Sequence, residues 1–444
     1  MHTGQELGQQ RSTPEATASD REIDAIMQAY QQLDGATDKG VSDTVRVRED
    51  LLSQSGLLVS RGDDKASFYH LSIQEFLAGE RLHLLHIRKW DELISMMIRR
   101  AASPGWRNTC SFLFGCLVAK TSRHVCVEFL QEIAKRLELP AVDRSRRGQQ
   151  ASVWNQAIVL GDCLQILAGR EAAIPDALTR FFQTWVLQAI EQEIAVKDRH
   201  TLGVALGRLG DPRIVVDLRL PADPDEHAGY VRIPAGTYYL GDQKQAVAIT
   251  EPFWLSKYPV TNSQYALFVQ DDGYARQDLW SDEGWRWLKK EHVLAPALWR
   301  NPDFNGPNQP VVGVSWWEAQ AFCTWAGGSL PTEQQWEAAA RGPEGLVYPW
   351  GDAWERGICN SEMVIGGTSA VGIFARDKSP FGVFDMAGNV WEWCADPLGA
   401  MPRVFRGGSW DLVARVCRSA FRSGGEPAFR RDYLVFRVAR GPSV

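Results

Sequence analysis

The sequence predicts an α+β protein: a mainly α-helical region followed by a domain of short strands, turns and large aromatic side chains. Three observations carry that prediction. In the first half, apolar residues return at helical spacing over residues 127–137 and 177–194, the pattern of amphipathic helices. Tryptophan then divides the chain, since of eighteen only Trp90, Trp106, Trp154 and Trp185 precede residue 250. Between the two regimes, Leu218-Arg219-Leu220-Pro221-Ala222-Asp223-Pro224-Asp225-Glu226 breaks the pattern as a Pro/Asp linker. At 444 residues the chain also exceeds the size at which one hydrophobic core keeps growing, so more than one domain is expected.

In order, residues 1–90 and 91–220 are assigned to the helical part, 221–227 to the linker and 228–444 to the second domain. That domain opens with Val231-Arg232-Ile233-Pro234-Ala235-Gly236-Thr237-Tyr238-Tyr239-Leu240-Gly241, which reads as short strands about a turn. Residues 315–326 and 332–341 read as helices opening on Ser315 and Thr332 as N-caps, and Thr332-Glu333-Gln334-Gln335 is a capping box. The remainder mixes Gly, Pro and Trp with few long periodic runs. Such a domain must be held by large buried side chains, and Trp316, Trp336, Trp350 and Trp391 are assigned to its core. No internal repeat is evident, which disfavours a solenoid or propeller.

The bulk properties exclude several classes. A net charge of −6 supplies no basic field for nucleic acid or an anionic membrane. The start lacks a basic segment followed by an apolar one, and no run of eighteen apolar residues occurs, so the sequence reads as cytoplasmic. Eight cysteines without a C-x-x-C pair suggest buried thiols rather than a zinc ribbon or a disulfide framework. Of the eight histidines, only His227 and His292 lie in the second half.

Ser67-Phe68-Tyr69-His70-Leu71-Ser72-Ile73-Gln74-Glu75-Phe76-Leu77-Ala78-Gly79 resembles the end of the winged-helix region in NACHT-type signal-transduction NTPases, where it follows a hairpin like Gly56–Asp64. The helices that follow, to about Arg213, are similar to the tail joining such NTPases to their sensor domains. Residues 1–90 are therefore read as winged-helix-like, and the resemblance implies a signalling partner for the helical half. No G-x-x-x-x-G-K-[ST] phosphate loop is present, so nucleotide hydrolysis and a bound nucleotide are not expected. A helical adaptor, with His70 and Glu75 as ordinary hydrogen-bonding groups, is the plainer reading of the same residues.

The second half carries an ordered series: Phe253-Trp254-Leu255-Ser256-Lys257-Tyr258-Pro259-Val260-Thr261-Asn262, Pro310-Val311-Val312-Gly313-Val314-Ser315-Trp316-Trp317-Glu318-Ala319, Leu330-Pro331-Thr332-Glu333-Gln334-Gln335-Trp336-Glu337, Tyr348-Pro349-Trp350-Gly351, Asp385-Met386-Ala387-Gly388-Asn389-Val390-Trp391-Glu392-Trp393 and Arg406-Gly407-Gly408-Ser409-Trp410. Over roughly 228–440 this resembles the formylglycine-generating-enzyme branch of the C-type lectin fold. The resemblance implies a calcium site at Asp385, Gly388, Val390 and Glu392, built from side-chain oxygens and two carbonyls about a tight glycine turn, as hard Ca²⁺ prefers. A second family site expects an acidic residue after an Asn like Asn360, and the stretch Ser361–Thr368 is too short for it.

The oxidase of that family holds copper between two thiolates just after the Gly-Gly-Ser-aromatic motif, and soft Cu(I) needs both sulfurs. Here Leu412 stands where the first Cys would be and Cys417 is alone, while Cys323, Cys359 and Cys394 match no catalytic position. The related sulfoxide synthases bind iron with three His, more than this domain has. The sequence therefore predicts no enzyme activity and neither copper nor iron, with a metal-dependent oxidase and a structural adaptor as the alternatives.

A third resemblance is to the variable proteins of diversity-generating retroelements, through Gly-Gly-Ser-Trp, Arg418-Ser419-Ala420-Phe421-Arg422, Pro427 and the closing Phe436-Arg437, within a variable region of about 406–438. It implies a ligand-binding surface with diversified positions at Leu412, Val413, Val416, Phe421, Ser423, Gly424, Phe429, Arg431, Asp432 and Tyr433, with Asp411 and Gly425 on its margin, presented to a protein or other macromolecular ligand as the sensor end of a NACHT-type system. Adenine replacement in AAC or AAT codons cannot yield Lys, Glu, Gln, Met or Trp, and none of these stands at those positions. Aromatics and Arg among small residues is the composition of a paratope. Arg415, Arg418, Arg422, Arg430 and Arg437 are read as frame residues whose planar forks hold loop carbonyls. Val435 stands where that family has Gly, which leaves the turn there open.

Overall fold

A computed structural model of the chain describes residues 18–19, 58–60, 65–68, 71–86, 89–137, 147–169, 174–192, 194–219 and 229–441. It divides into two compact units, Met1–Pro175 and Asp176–Val444. The linker expected at 221–227 lies outside the described residues, as does His70.

In the first unit a small antiparallel sheet forms from β1 (Ala18–Ser19), β2 (Leu58–Ser60) and β3 (Lys65–Phe68), with β3 central. Five helices follow: α1 (Leu71–His86), α2 (Trp90–Ala101), α3 (Arg107–Lys120), α4 (Arg123–Arg136) and α5 (Arg147–Ala168). Their packing follows from their stripes. In α2 the buried residues Leu93, Ile94, Met97 and Ala101 recur on one face, as a helix with a core-facing stripe requires. Opposing them are Phe114 of α3 and Phe129 of α4, whose rings stack at 6.1 Å. The Arg107 guanidinium forks onto Asp162, at 2.7 and 3.0 Å, and ties α3 to α5. Glu75 accepts a hydrogen bond from Asn108, the ordinary structural role.

The second unit begins with α6 (Asp176–Ile190) and α7 (Val196–Arg208), which the sequence had assigned to the helical domain. The reason is a glycine face on α7. A Cβ at Gly203 would lie 2.8 Å from Ile373, and the Gly203 carbonyl accepts from the Asn308 amide at 2.9 Å, so the backbone packs directly on the strand-rich domain.

That domain contains β4 (Tyr230–Ile233), β5 (Gly236–Leu240), β6 (Gln245–Ile249), β7 (Phe253–Ser256), α8 (Asn262–Gln270), α9 (Asp282–Lys290), α10 (Trp316–Trp325), α11 (Glu333–Arg341), β8 (Trp391–Pro397), β9 (Arg403–Arg406), β10 (Arg422–Gly425), β11 (Leu434–Phe436) and β12 (Ala439–Arg440). Three sheets result: β12-β7-β4, the hairpin β5-β6, and a four-stranded sheet β10-β9-β8-β11 in which only the β8–β11 pair is parallel. Capping boxes at Thr261, Ser315 and Thr332 fix the starts of α8, α10 and α11. The core is aromatic: Tyr265 stacks on Phe322 at 5.2 Å, and Phe322 meets Phe436 edge-on at 5.3 Å. Trp336 is fully buried, and Trp316 and Trp391 nearly so. Trp350 departs from the core assignment; it is half-buried and stacks on Tyr348 at 5.3 Å.

Candidate functional site

Two glycines launch the segment between Arg406 and Phe436. Gly407 has φ +100° and Gly408 φ +77°, and a Cβ on Gly408 would lie 2.9 Å from the Cys417 sulfur. No other residue reverses the chain so close to that thiol. Beyond the turn the frame is dense with bonds. The Ser409 hydroxyl donates to Asp411 at 2.6 Å, the Trp410 N–H to the Asn389 carbonyl at 3.0 Å, and the Ser419 N–H to the Val347 carbonyl at 2.8 Å. Pro427 accepts from the Trp316 N–H at 2.9 Å and Tyr433 from the Trp391 N–H at 2.7 Å. Val435 is buried in β11 opposite Glu392, so the strand simply continues where a glycine turn was in question.

Between these anchors the side chains sort by exposure. Cys417, Ser419, Gly425 and the run 434–440 are buried, whereas none of the ten positions read as diversified is. Val413 is 49% exposed and Phe429 38%, and Arg431 lies open with its guanidinium 5.4 Å from the Phe429 ring centre. Leu412, Val416, Phe421 and Tyr433 are half-buried against the core, each with its inner side held and its outer side in water. Trp391 links two of them: its ring is 6.1 Å from Phe421, and its main-chain N–H donates to the Tyr433 carbonyl.

Gly424 is the exception within that set. A Cβ there would stand 2.9 Å from the Arg403 carbonyl oxygen and press on Leu398, so no larger side chain enters in this conformation. Gly425 is buried with the Phe429 ring across it, a side chain that would have to move to admit a Cβ, while Asp411 is exposed.

The frame arginines separate into kinds. Arg437 is fully buried; its Nε donates to Glu392 at 2.7 Å, and its Nη atoms donate to the carbonyls of Ser256, Lys257 and Phe384. Arg430 reaches the Gly313 carbonyl, the Ala295 carbonyl and the Glu318 carboxylate, and Arg418 the Arg415 carbonyl. Arg422 does not hold a carbonyl, because its Nε faces Glu333 at 3.2 Å, and Arg415 is exposed. Sequence reasoning missed that acidic partner, which lies 89 positions earlier on α11 and carries no local signal.

For the implied metals the donor sets differ. At 412 and 417, leucine offers no donor and burial pushes the Cys417 thiol up to about 12, so this pair does not fit a two-thiolate copper centre. Asp385, Gly388, Val390 and Glu392 fit calcium in part. Glu392 gives Oε2 to the Trp336 indole N–H at 2.6 Å and to Arg437, while its buried Oε1 has no partner. Asp385 accepts the Gly372 N–H at 2.6 Å, and the Gly388 carbonyl accepts the Val390 N–H at 2.7 Å. Burial raises both carboxyls, that of Asp385 to about 6, and for Glu392 it outweighs the lowering effect of Arg437. Among the described residues no three His, Cys, Asp or Glu side chains form a metal group, and no helix is long and apolar enough to cross a membrane.

Comparison with known proteins gives a consistent grouping. Residues 219–442 match the family described as the sulfatase-modifying factor enzyme 1-like domain. Hercynine oxygenase of Mycolicibacterium thermoresistibile is 32% identical over 244 residues, covering 46% of this chain and 54% of the oxygenase, so the chain spans about half of that relative's length. The inactive C-alpha-formylglycine-generating enzyme 2 of Mus musculus is 32% identical over 277 residues, 50% of this chain and 88% of the relative. Among solved structures, Treponema denticola variable protein 1 is 20% identical, with a TM-score of 0.37, covering 48% of this chain and 95% of that one. These relatives correct one expectation. The sequence reading excluded enzyme activity from missing ligands, yet 244 residues of the chain align at 32% identity with a named oxygenase.

Proposed function

Because the chain belongs to the family of sulfatase-modifying factor enzyme 1-like domains, matched over residues 219–442, its fold is common ground with named enzymes, and we propose that its carboxy-terminal segment serves as a ligand-binding surface on that fold. The observation that carries the reading is the sorting of 411–433: Leu412, Val413, Val416, Phe421, Ser423, Phe429, Arg431, Asp432 and Tyr433 are all at least partly exposed, while the residues interleaved with them include the buried anchors Cys417, Ser419 and Gly425. A rigid frame presenting aromatics and Arg is how a surface binds at low entropic cost. The ligand is a protein or other macromolecule, and the amino-terminal unit, with its NACHT-like segment, would pass occupancy to a signalling partner. Calcium held by Asp385 and Glu392 would stiffen the turn that supports Trp391.

Sequencing the genomic neighbourhood tests the diversified character of the surface. The expected result is a near-identical template repeat beside a reverse-transcriptase gene, mismatched to this coding sequence only at template adenines in the codons named above. Mismatches spread over Cys417, Ser419 or Arg437 as well would overturn it. Oxidative chemistry is the second reading, favoured by the match to hercynine oxygenase. Its donors would have to come from outside the 412/417 pair.

A further inference from the structure

A cleft of about 500 Å³ lies to one side of this surface, in the same unit. One wall is the face of the β5–β6 hairpin, with Leu240 and Val247; a second is the start of α11, with Glu333 and Glu337; the third is the chain from Arg418 to Arg422. Phe421 is the one position of the diversified set that lines it. The remaining lining residues stand outside that set.

Gln245, Gln334 and Asp242 keep polar groups of their own at the exposed rim of the cleft, and its remaining charged side chains differ in what they leave unused. Both glutamates are held by arginines. Glu337 accepts from Arg341 at 2.6 Å, from the Gly241 N–H at 2.6 Å and from Arg406 at 3.1 Å. Glu333 holds Arg406 at 3.0 Å and Arg422 at 3.2 Å. The arginines retain donors. Arg422 uses only Nε, leaving both Nη groups at a side chain that is 45% exposed. Arg418 gives Nε to the Arg415 carbonyl and Nη1 to Asp242, which is itself 61% exposed and easily replaced. Arg406 is 4% exposed, and its buried Nε has no acceptor at all. A guanidinium fork with free Nη groups matches a carboxylate in two parallel bonds. Arg422 also opens β10, the outermost strand of its sheet, so a ligand main chain has an unpaired edge to run along.

We propose that this cleft binds an acidic side chain of an extended peptide segment, clamped between Arg418 and Arg422, with a neighbouring apolar side chain against Phe421 and Val247. It is a constant anchor beside a variable surface: ligands that differ over the diversified positions share one carboxylate. The proposal deepens the binding reading and rests on it, since both share Phe421.

Fluorescence anisotropy of the full chain with a labelled peptide of alternating Glu and Val tests it, against the same peptide carrying Gln for Glu. The Glu peptide should bind about tenfold tighter, and Arg418→Gln with Arg422→Gln should remove about tenfold, as expected for charged hydrogen bonds. Leu294→Ala, exposed in the same unit and part of neither the cleft nor the diversified surface, should leave the affinity within about twofold. Unchanged near-ultraviolet circular dichroism confirms that each variant is folded. Equal binding of the two peptides, or no loss in the double arginine variant, overturns the cleft while leaving the surface to its genomic test. A loss in Leu294→Ala as large as in the double arginine variant likewise overturns the cleft.

Discussion

Removing Arg437 should cost the carboxy-terminal unit most of its stability. The side chain is fully buried, pairs with Glu392 at 2.7 Å, and supplies donors to three main-chain carbonyls, at 3.1 Å for Ser256, 3.2 Å for Lys257, and in close contact for Phe384. Those partners lie on β7 and the loop after it, on the segment before Asp385, and on β8, so one fork joins four stretches of chain. Breaking a buried pair by deleting one partner costs about 3–5 kcal/mol, and each buried carbonyl left without a donor adds about 1–3 kcal/mol unless water enters. Arg437→Ala should therefore lose at least about 4 kcal/mol, against about 5–15 kcal/mol for a whole domain. Urea unfolding followed by tryptophan emission reads this unit, because fourteen of the eighteen tryptophans lie beyond residue 250. Arg437→Met combined with Glu392→Leu should be less destabilised than the sum of the two single variants, since it leaves no unpaired buried charge. A loss below about 1 kcal/mol for Arg437→Ala, or strict additivity in the cycle, would refute the central role given to this pair.

Three further outcomes are expected. Gly408→Ala, which forces a side chain to φ +77° and toward the Cys417 sulfur, should lower the unfolding free energy by about 1–3 kcal/mol in the same urea titration. Asp211 is held below the usual carboxylate range: burial alone would raise it, but the hydrogen bonds and charge of Arg213 outweigh that. Its contribution is thus present above the unfolded value of about 3.9 and is lost as pH falls through the lower folded value, so melting curves of wild type and Asp211→Asn should begin to converge below about pH 4 and meet only below the folded value. Calcium should raise the melting temperature of the wild type and not of Asp385→Ala, with sensitised terbium luminescence from the adjacent tryptophans as the direct readout; its absence would remove calcium from the site.

What the sequence made legible follows the range of the interactions. Ser315 and Thr332 announced α10 and α11 because a capping box is complete within four residues. The capping box at Thr261 was equally local and went unread, since it lies inside a motif valued for its likeness to a family. The parallel pairing of Leu434 with Trp391 was out of reach, as was the contact of Glu392 with Arg437, because neither partner carries a mark of the other. In the same way α7 looked like any amphipathic helix, and only the proximity of Asn308 and Ile373 explains its Gly203 and Gly207. The positions expected to vary rest on resemblance alone, and at Gly424 the room for a side chain is set by a carbonyl of the neighbouring strand that no local sequence signal marks.

The two arginine populations of the segment follow from one physical distinction. Arg430 and Arg437 end on main-chain carbonyls and buried carboxylates, where substitution leaves polar groups stranded. Arg418 and Arg422 end at the rim of the cleft with donors to spare, where substitution costs the fold little, as is usual for exposed ion pairs. A segment that changes its surface residues while keeping its shape needs the first kind beneath them. The second kind is what a ligand can use, because its guanidinium donors stay open at the cleft.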